Sequence, residues 1–225
     1  MPQTPHIVSD VMTVTVVAVG RDAPFKEIVE TMEQWKVSAL PVLEGEGRVV
    51  GVVSEADLLP KEEFRDSVPS LYEQRQRLSD VAKAGGVTAG ELMSTPAVTV
   101  HPDATLAQAA RVMAVRHIKR LPVVDDVGML QGIVSRADLL KVFLRSDESI
   151  EEEVRRTVVS YLFPALSHTI HVNVHEGVVT LRGRIRDTAL ISVAVRLIRA
   201  IEGVVDVEPH LTAASEDPAG PASAR

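Results

Sequence analysis

Cysteine is absent from the sequence, which removes disulfides, thiolate nucleophiles and sulfur-ligated metal sites together. Aromatic residues make up only 3% of the chain. A core must therefore be filled by Val, Ile, Leu, Ala and Met, and little flat surface is left on which nucleic-acid bases could stack. Positive charge is also short, with 24 Lys and Arg against 31 Asp and Glu and a formal net charge of -7. Proteins that neutralise a phosphate backbone carry a basic surface, so this balance argues against nucleic acid as a partner, and any basic site must be local. Long hydrophobic runs are missing too. Val14 to Val19 is far too short to span a bilayer, and Met1 to Met12 (MPQTPHIVSDVM) has neither the basic n-region nor the apolar h-region of an export signal. The expected compartment is the cytoplasm. What remains, 45% apolar and 24% charged residues over 225 positions, is the composition of a globular protein with one large domain or two modest ones.

The sequence repeats itself at an offset of 81 residues. Met12, Met32, Leu40, Pro41, Gly51, Ser54, Asp57, Leu58 and Leu59 recur as Met93, Met113, Leu121, Pro122, Gly132, Ser135, Asp138, Leu139 and Leu140. Residues 8–59 align with 89–140 without a gap, and 17 of the 52 positions are identical, which sets the architecture before any single motif does. Within the first copy, Val17 and Val19 predict a short strand. Asp22 then offers an N-cap, with Pro24 in the first helical turn. The helix that follows has the stripe Phe25, Ile28, Val29 and Met32, matched by Leu106, Ala109, Ala110 and Met113. Leu40–Leu43 and Val49–Val53 read as strands joined by a turn at Glu44–Gly47. Ser54 opens a second helix. Each copy is β-α-β-β-α, too small to bury both faces alone, so two should pack as one pseudo-symmetric module.

These features resemble the CBS domain in its tandem arrangement. The resemblance rests on the duplication, on Leu40-Pro41-Val42 and Leu121-Pro122-Val123, and on the paired strings GVVSEADLL (51–59) and GIVSRADLL (132–140). It divides the chain into a first repeat at 8–59, a partly helical connector at 60–87 with an amphipathic fragment around Leu71–Leu78, and a second repeat at 88–145.

In each strand-to-helix corner a Ser stands at the helix start with an Asp three residues on, beside backbone N–H groups that lack intrahelical partners. The resemblance implies that Ser54 and Ser135 meet phosphate and that Asp57 and Asp138 accept hydrogen bonds from two ribose hydroxyls, which a carboxylate can do at once. The same spacing is also a capping-box variant that satisfies only the helix end. The copies differ before the central strand. The second has His117, Ile118, Lys119 and Arg120, and the first has Lys36, Val37, Ser38 and Ala39. Basic residues here commonly reach nucleotide phosphates in the family, and Arg suits a bidentate grip; a solvated basic cluster is the alternative. The expectation is a stronger phosphate site in the second repeat. The resemblance further places Thr15, Val16 and Val17, and Pro96, Ala97 and Val98, along the adenine, whereas plain strand packing would explain them equally.

Beyond Ser149 the pattern changes. Glu151–Leu162 suits a helix with acids in its first turn. Ile170, Val172 and Val174 then alternate with His171, Asn173 and His175, and Glu176-Gly177 turns the chain into a strand over 178–185. Asp187 can cap a helix with the stripe Leu190, Val193, Ala194, Leu197 and Ile201, ended by Gly203 before a strand at Val204–Val207. HVNVHEGVVTLRGRI (171–185) and IEGVVDVEPHL (201–211) resemble a BON domain, expected over 149–211 with a disordered tail at 212–225. Members are associated with phospholipid surfaces or protein partners, and Arg182, Arg184, Arg186, Arg196 and Arg199 could meet an anionic surface or stay solvated. His171 and His175 share a strand face, but no third ligand is assured, and no metal site is expected.

The fold class is thus α+β: a CBS pair with a small α-β-β-α-β domain. The expected function is regulatory and non-enzymatic, because no nucleophile with a linked base, metal cage or Walker-type loop is present. The CBS pair would bind AMP, ADP, ATP or S-adenosylmethionine as a regulatory ligand, with no cofactor required. The chain would form a homodimer and relay its state to a protein partner through the BON-like domain. Two alternatives stand: a degenerate pair serving dimerisation, and a phospholipid-associated adaptor.

Overall fold

The computed structural model describes residues 6–65 and 77–213. Residues 71–76 of the expected amphipathic fragment, and residues 214–225 of the expected disordered tail, lie outside the described residues. The chain divides into a unit at His6–Leu139 and a second unit beginning at Leu140.

Both copies in the first unit follow the expected element order. In the first, β1 (Val19–Gly20) runs parallel to β2 (Ala39–Glu44), which pairs antiparallel with β3 (Arg48–Ser54). In the second, β4 (Arg120–Val124) pairs antiparallel with β5 (Leu130–Ser135), and the leading strand shrinks to a parallel bridge between Val100 and Val123. The duplication extends to irregularities. The β2–β3 ladder shifts register between Val42 and Leu43, and the β4–β5 ladder between Val123 and Val124, at the same repeat position.

The helices Phe25–Trp35 and Leu106–Val115 bury Ile28 and Met32, and Leu106, Ala109 and Met113. Each such buried side chain contributes about 1.5–3 kcal/mol for Met, Leu or Ile. Val29 and Ala110, assigned to the stripe from spacing, are exposed instead, because one turn buries a narrower arc than the pattern allowed. Asp22 does not cap the first helix. Pro24 occupies the N-cap position in an extended conformation with no side-chain bond, whereas Thr105 caps the second and accepts from the Gln108 N–H at 3.2 Å.

The repeats interlock. Val52 and Ser94 exchange both backbone hydrogen bonds at 3.1 and 2.9 Å, and Thr13 and Ile133 do the same at 2.9 Å each. The segment leading each repeat is therefore bonded to the last strand of the other. Gly51 and Gly132 permit this approach. A Cβ at Gly51 would lie 2.3 Å from Met93 Sδ, and one at Gly132 would lie 2.6 Å from Met12 Sδ and 3.0 Å from the Thr13 carbonyl oxygen.

The second unit carries a helix at Asp147–Val154, capped by Ser146 and continued through a π turn to Leu162. It thus starts four residues before the expected Glu151. Strands β6 (His171–His175) and β7 (Val178–Ile185) form a hairpin at Glu176 and Gly177, both with positive φ, as a two-residue turn between twisted strands requires. The helix Leu190–Arg199 buries Ala194 and Ile198 most deeply; the expected stripe omitted Ile198. The last strand, β8 (Asp206–Ala213), is parallel to β7 and lies further along the chain than the expected Val204–Val207. Among the described residues no helix is long and apolar enough to cross a membrane.

Candidate functional site

Each strand-to-helix corner closes on itself. Ser54 is extended, and its N–H and Oγ donate to Asp57 Oδ2 at 2.7 and 2.6 Å. Ser135 repeats this toward Asp138 Oδ2 at 2.9 and 2.6 Å, and the Asp138 N–H donates to Ser135 Oγ at 3.3 Å. The capping arrangement left open by the spacing is therefore realised in both copies. It orients each carboxylate with one oxygen committed to the corner.

At Asp57 the other oxygen is engaged as well. Oδ1 accepts from Lys83 Nζ, carried on the helix Leu78–Gly85, and from Ser94 Oγ at 3.3 Å. Asp57 is only 8% exposed. A buried carboxylate is costly without paired charge and hydrogen bonds, and here four donors surround it.

Asp57 and Ser54 line a cavity of about 420 Å³, within the size range of small-molecule sites. Pro96, Ala97 and Val98 form its wall, and His117, Lys119 and Arg120 supply the basic side. Arg120 is half-buried, and its guanidinium donates to Ser38 Oγ. The cavity thus joins two carboxylates, Asp57 and Glu55, a helix-start hydroxyl, an apolar wall and two cations. Ser135, Asp138, Thr15, Val16 and Val17 do not line it.

This grouping differs from the one expected. Arg120 is the ladder partner of Ser135, and the Arg136 N–H donates to the Lys119 carbonyl at 3.1 Å, so the basic strip adjoins the second corner along the backbone. Its side chains nevertheless share a cavity with the first corner. The interlock explains the wall: Ser94 is bonded to Val52, two residues before Ser54, which carries Pro96–Val98 of the second repeat to the first repeat's corner. An 81-residue offset is equally compatible with exchanged and unexchanged segments, so sequence reasoning had no signal for this. It also missed Lys83 and Ser94, since neither belongs to a recurring string.

A neighbouring cavity of about 470 Å³ shares Pro96 and Ala97, but Arg21 is its only charged lining residue. In the second unit a depression of about 400 Å³ is lined by His171, Asn173, Thr180 and Arg182. Among the described residues no group of three or more His, Cys, Asp or Glu could hold a metal ion.

Sequence models of known families match most of the chain. The CBS domain matches residues 8–61 and 89–145, and the BON domain matches 146–215. Methanocaldococcus jannaschii MJ1426 is 29% identical over 154 residues, covering 61% of this chain and 91% of that protein. The chloroplastic CBS domain-containing protein CBSX2 of Arabidopsis thaliana is 30% identical over 138 residues, 56% of this chain. The match spans only 57% of CBSX2's own length. A crystal structure of CBSX2 in complex with AMP superposes with a TM-score of 0.55 at 31% identity, covering 62% of this chain and 97% of that one.

Proposed function

The chain belongs to the CBS-domain family, as a tandem pair followed by a BON domain, and from that premise we propose that it is a regulatory protein that senses an adenosine nucleotide. The observation that carries this reading is the one cavity that Ser54 and Asp57 line together with Pro96–Val98, Lys119 and Arg120. Asp57 takes the ribose hydroxyls. The cations take the phosphate, Arg120 through its planar fork. The AMP complex of the related CBSX2 pair supports the ligand class. The principal site is assigned to the first repeat's corner with the second repeat's basic strip, and the BON domain passes the liganded state to a protein partner.

Exposed apolar side chains on the repeat helices, Val29, Trp35 and Val115, support association of two copies through helical faces. Sedimentation should then give twice the 24.4 kDa chain mass. A monomer at micromolar concentration would remove that part of the proposal.

A second reading, in which the pair has only a structural role, is favoured by one observation: every acceptor position of Asp57 is already used within the protein. A thermal-shift series with AMP, ADP, ATP and S-adenosylmethionine separates the two. A ligand at about 100 times its Kd adds roughly 2.7 kcal/mol, a rise on the order of 5 to 10 °C for a unit of this size. No shift with any of them at millimolar concentration favours the structural reading.

A further inference from the structure

A carboxylate accepts about four hydrogen bonds, and Asp57 has four donors. Ser54 N–H and Oγ occupy Oδ2 and form the corner's own cap. Lys83 Nζ and Ser94 Oγ occupy Oδ1 and come from elsewhere. Ribose hydroxyls would need the same lone pairs, so they can enter only by displacing the second set. Lys83 and Asp57 are largely shielded, with side chains 18% and 11% exposed.

The helix that carries Lys83 is built to let go. Leu78–Gly85 contains no buried residue, and Leu78 is 67% exposed. Its polar ties among the described residues include Lys61 Nζ, which donates to the Ala84 carbonyl at 3.0 Å, and Arg77, at its N-cap, which bridges Asp80 and Glu63 with side chains 33–47% exposed. The Lys83–Asp57 pair is the most shielded of the three ion pairs.

We propose that Lys83 is an internal competitor for the ribose site: its ammonium plugs Asp57 in the unliganded protein, and nucleotide binding expels it and loosens the helix Leu78–Gly85. This rests on the nucleotide reading above and adds to it a regulated segment in the connector. It also reconciles the saturated carboxylate with a binding role. The apparent affinity of such a site is reduced by the fraction of molecules in which it is open.

The test uses the full chain. Adenosine, which has no phosphate for Lys83 to attract, isolates the ribose contact. Calorimetric titration should show Lys83→Met, which keeps the stem but not the charge, binding adenosine about tenfold more tightly than wild type if the plug is closed about nine-tenths of the time. The gain should vanish in an Asp57→Ala background. In unmodified protein, AMP should speed deuterium exchange at the amides of 78–85. An unchanged or weakened adenosine affinity in Lys83→Met, with AMP still bound by wild type, overturns the competition and leaves the nucleotide reading intact. Protection of 78–85 by AMP overturns it as well. Failure of AMP and adenosine to bind either protein removes the nucleotide reading itself, and the plug with it.

Discussion

Arg120 shows how far single residues can be read. The family resemblance implies that a basic residue before the central strand meets phosphate, and Arg120 lines the cavity together with Lys119. The aspartate that shares this cavity is Asp57, not the Asp138 of its own repeat, a grouping that leaves no trace in residue type. Hydrogen bonds to charged groups are worth roughly 1.5–3 kcal/mol, so Arg120→Ala should weaken AMP about 10-fold to 150-fold and adenosine far less. Titration of both ligands checks this; equal losses for the two would place Arg120 away from the phosphate.

Among the elements, strand order and the second helix of each repeat were legible because glycine, proline and the Ser-x-x-Asp spacing punctuate them. Helix faces were less so. Val29 and Ala110 fit a helical period but are exposed, since periodicity gives the direction of a face and not the width that neighbours cover. The interlock yields a sharper expectation. Gly132→Ala must push aside both Met12 and the Thr13 carbonyl oxygen, whereas the three atoms nearest a Cβ at Gly51 all belong to the Met93 side chain, from Sδ at 2.3 Å to Cβ at 3.0 Å. Overpacking costs typically 1–3 kcal/mol, and Gly132→Ala should fall nearer the upper value in urea unfolding; equal losses would show the backbone contact to be yielding.

The short helix Ala89–Leu92 adds a pH dependence. The Val87 and Thr88 N–H groups donate to Glu91 at 2.8 and 3.1 Å and hold its carboxyl below the usual value of 4.5. A depressed folded-state pKa stabilises above the unfolded value, and the benefit fades as pH falls through the folded one. The Tm difference between wild type and Glu91→Ala should therefore be constant above about pH 5 and shrink below 4.5. A difference that grows on acidification contradicts this.

At the scale of the whole molecule, the 81-residue repeat and the change of pattern after it made a CBS pair and a BON domain readable, but the join between them was not. Arg145 donates to the Glu202 carbonyl at 2.9 Å and to Glu153 at 2.8 Å, and Asp147 accepts from the N–H groups of Glu176 and Gly177 at 2.8 and 2.9 Å. Both precede the expected start at Ser149, and their partners lie too far along the chain for local patterning to reveal. Removing one member of a buried ion pair costs roughly 3–5 kcal/mol. A fragment beginning at 149 should thus melt at least about 10 °C below one beginning at 140, and matching melting curves would refute that boundary.

The most direct test of the central claim is calorimetric titration of AMP into wild type, Asp57→Ala and Asp138→Ala. Asp57 lies in the cavity with Lys119 and Arg120, and Asp138 does not line it. Asp57→Ala should therefore lower affinity about 10-fold to 150-fold, while Asp138→Ala should change it by no more than about twofold. Binding lost in Asp138→Ala and kept in Asp57→Ala would put the nucleotide in the other corner and contradict the site assigned here.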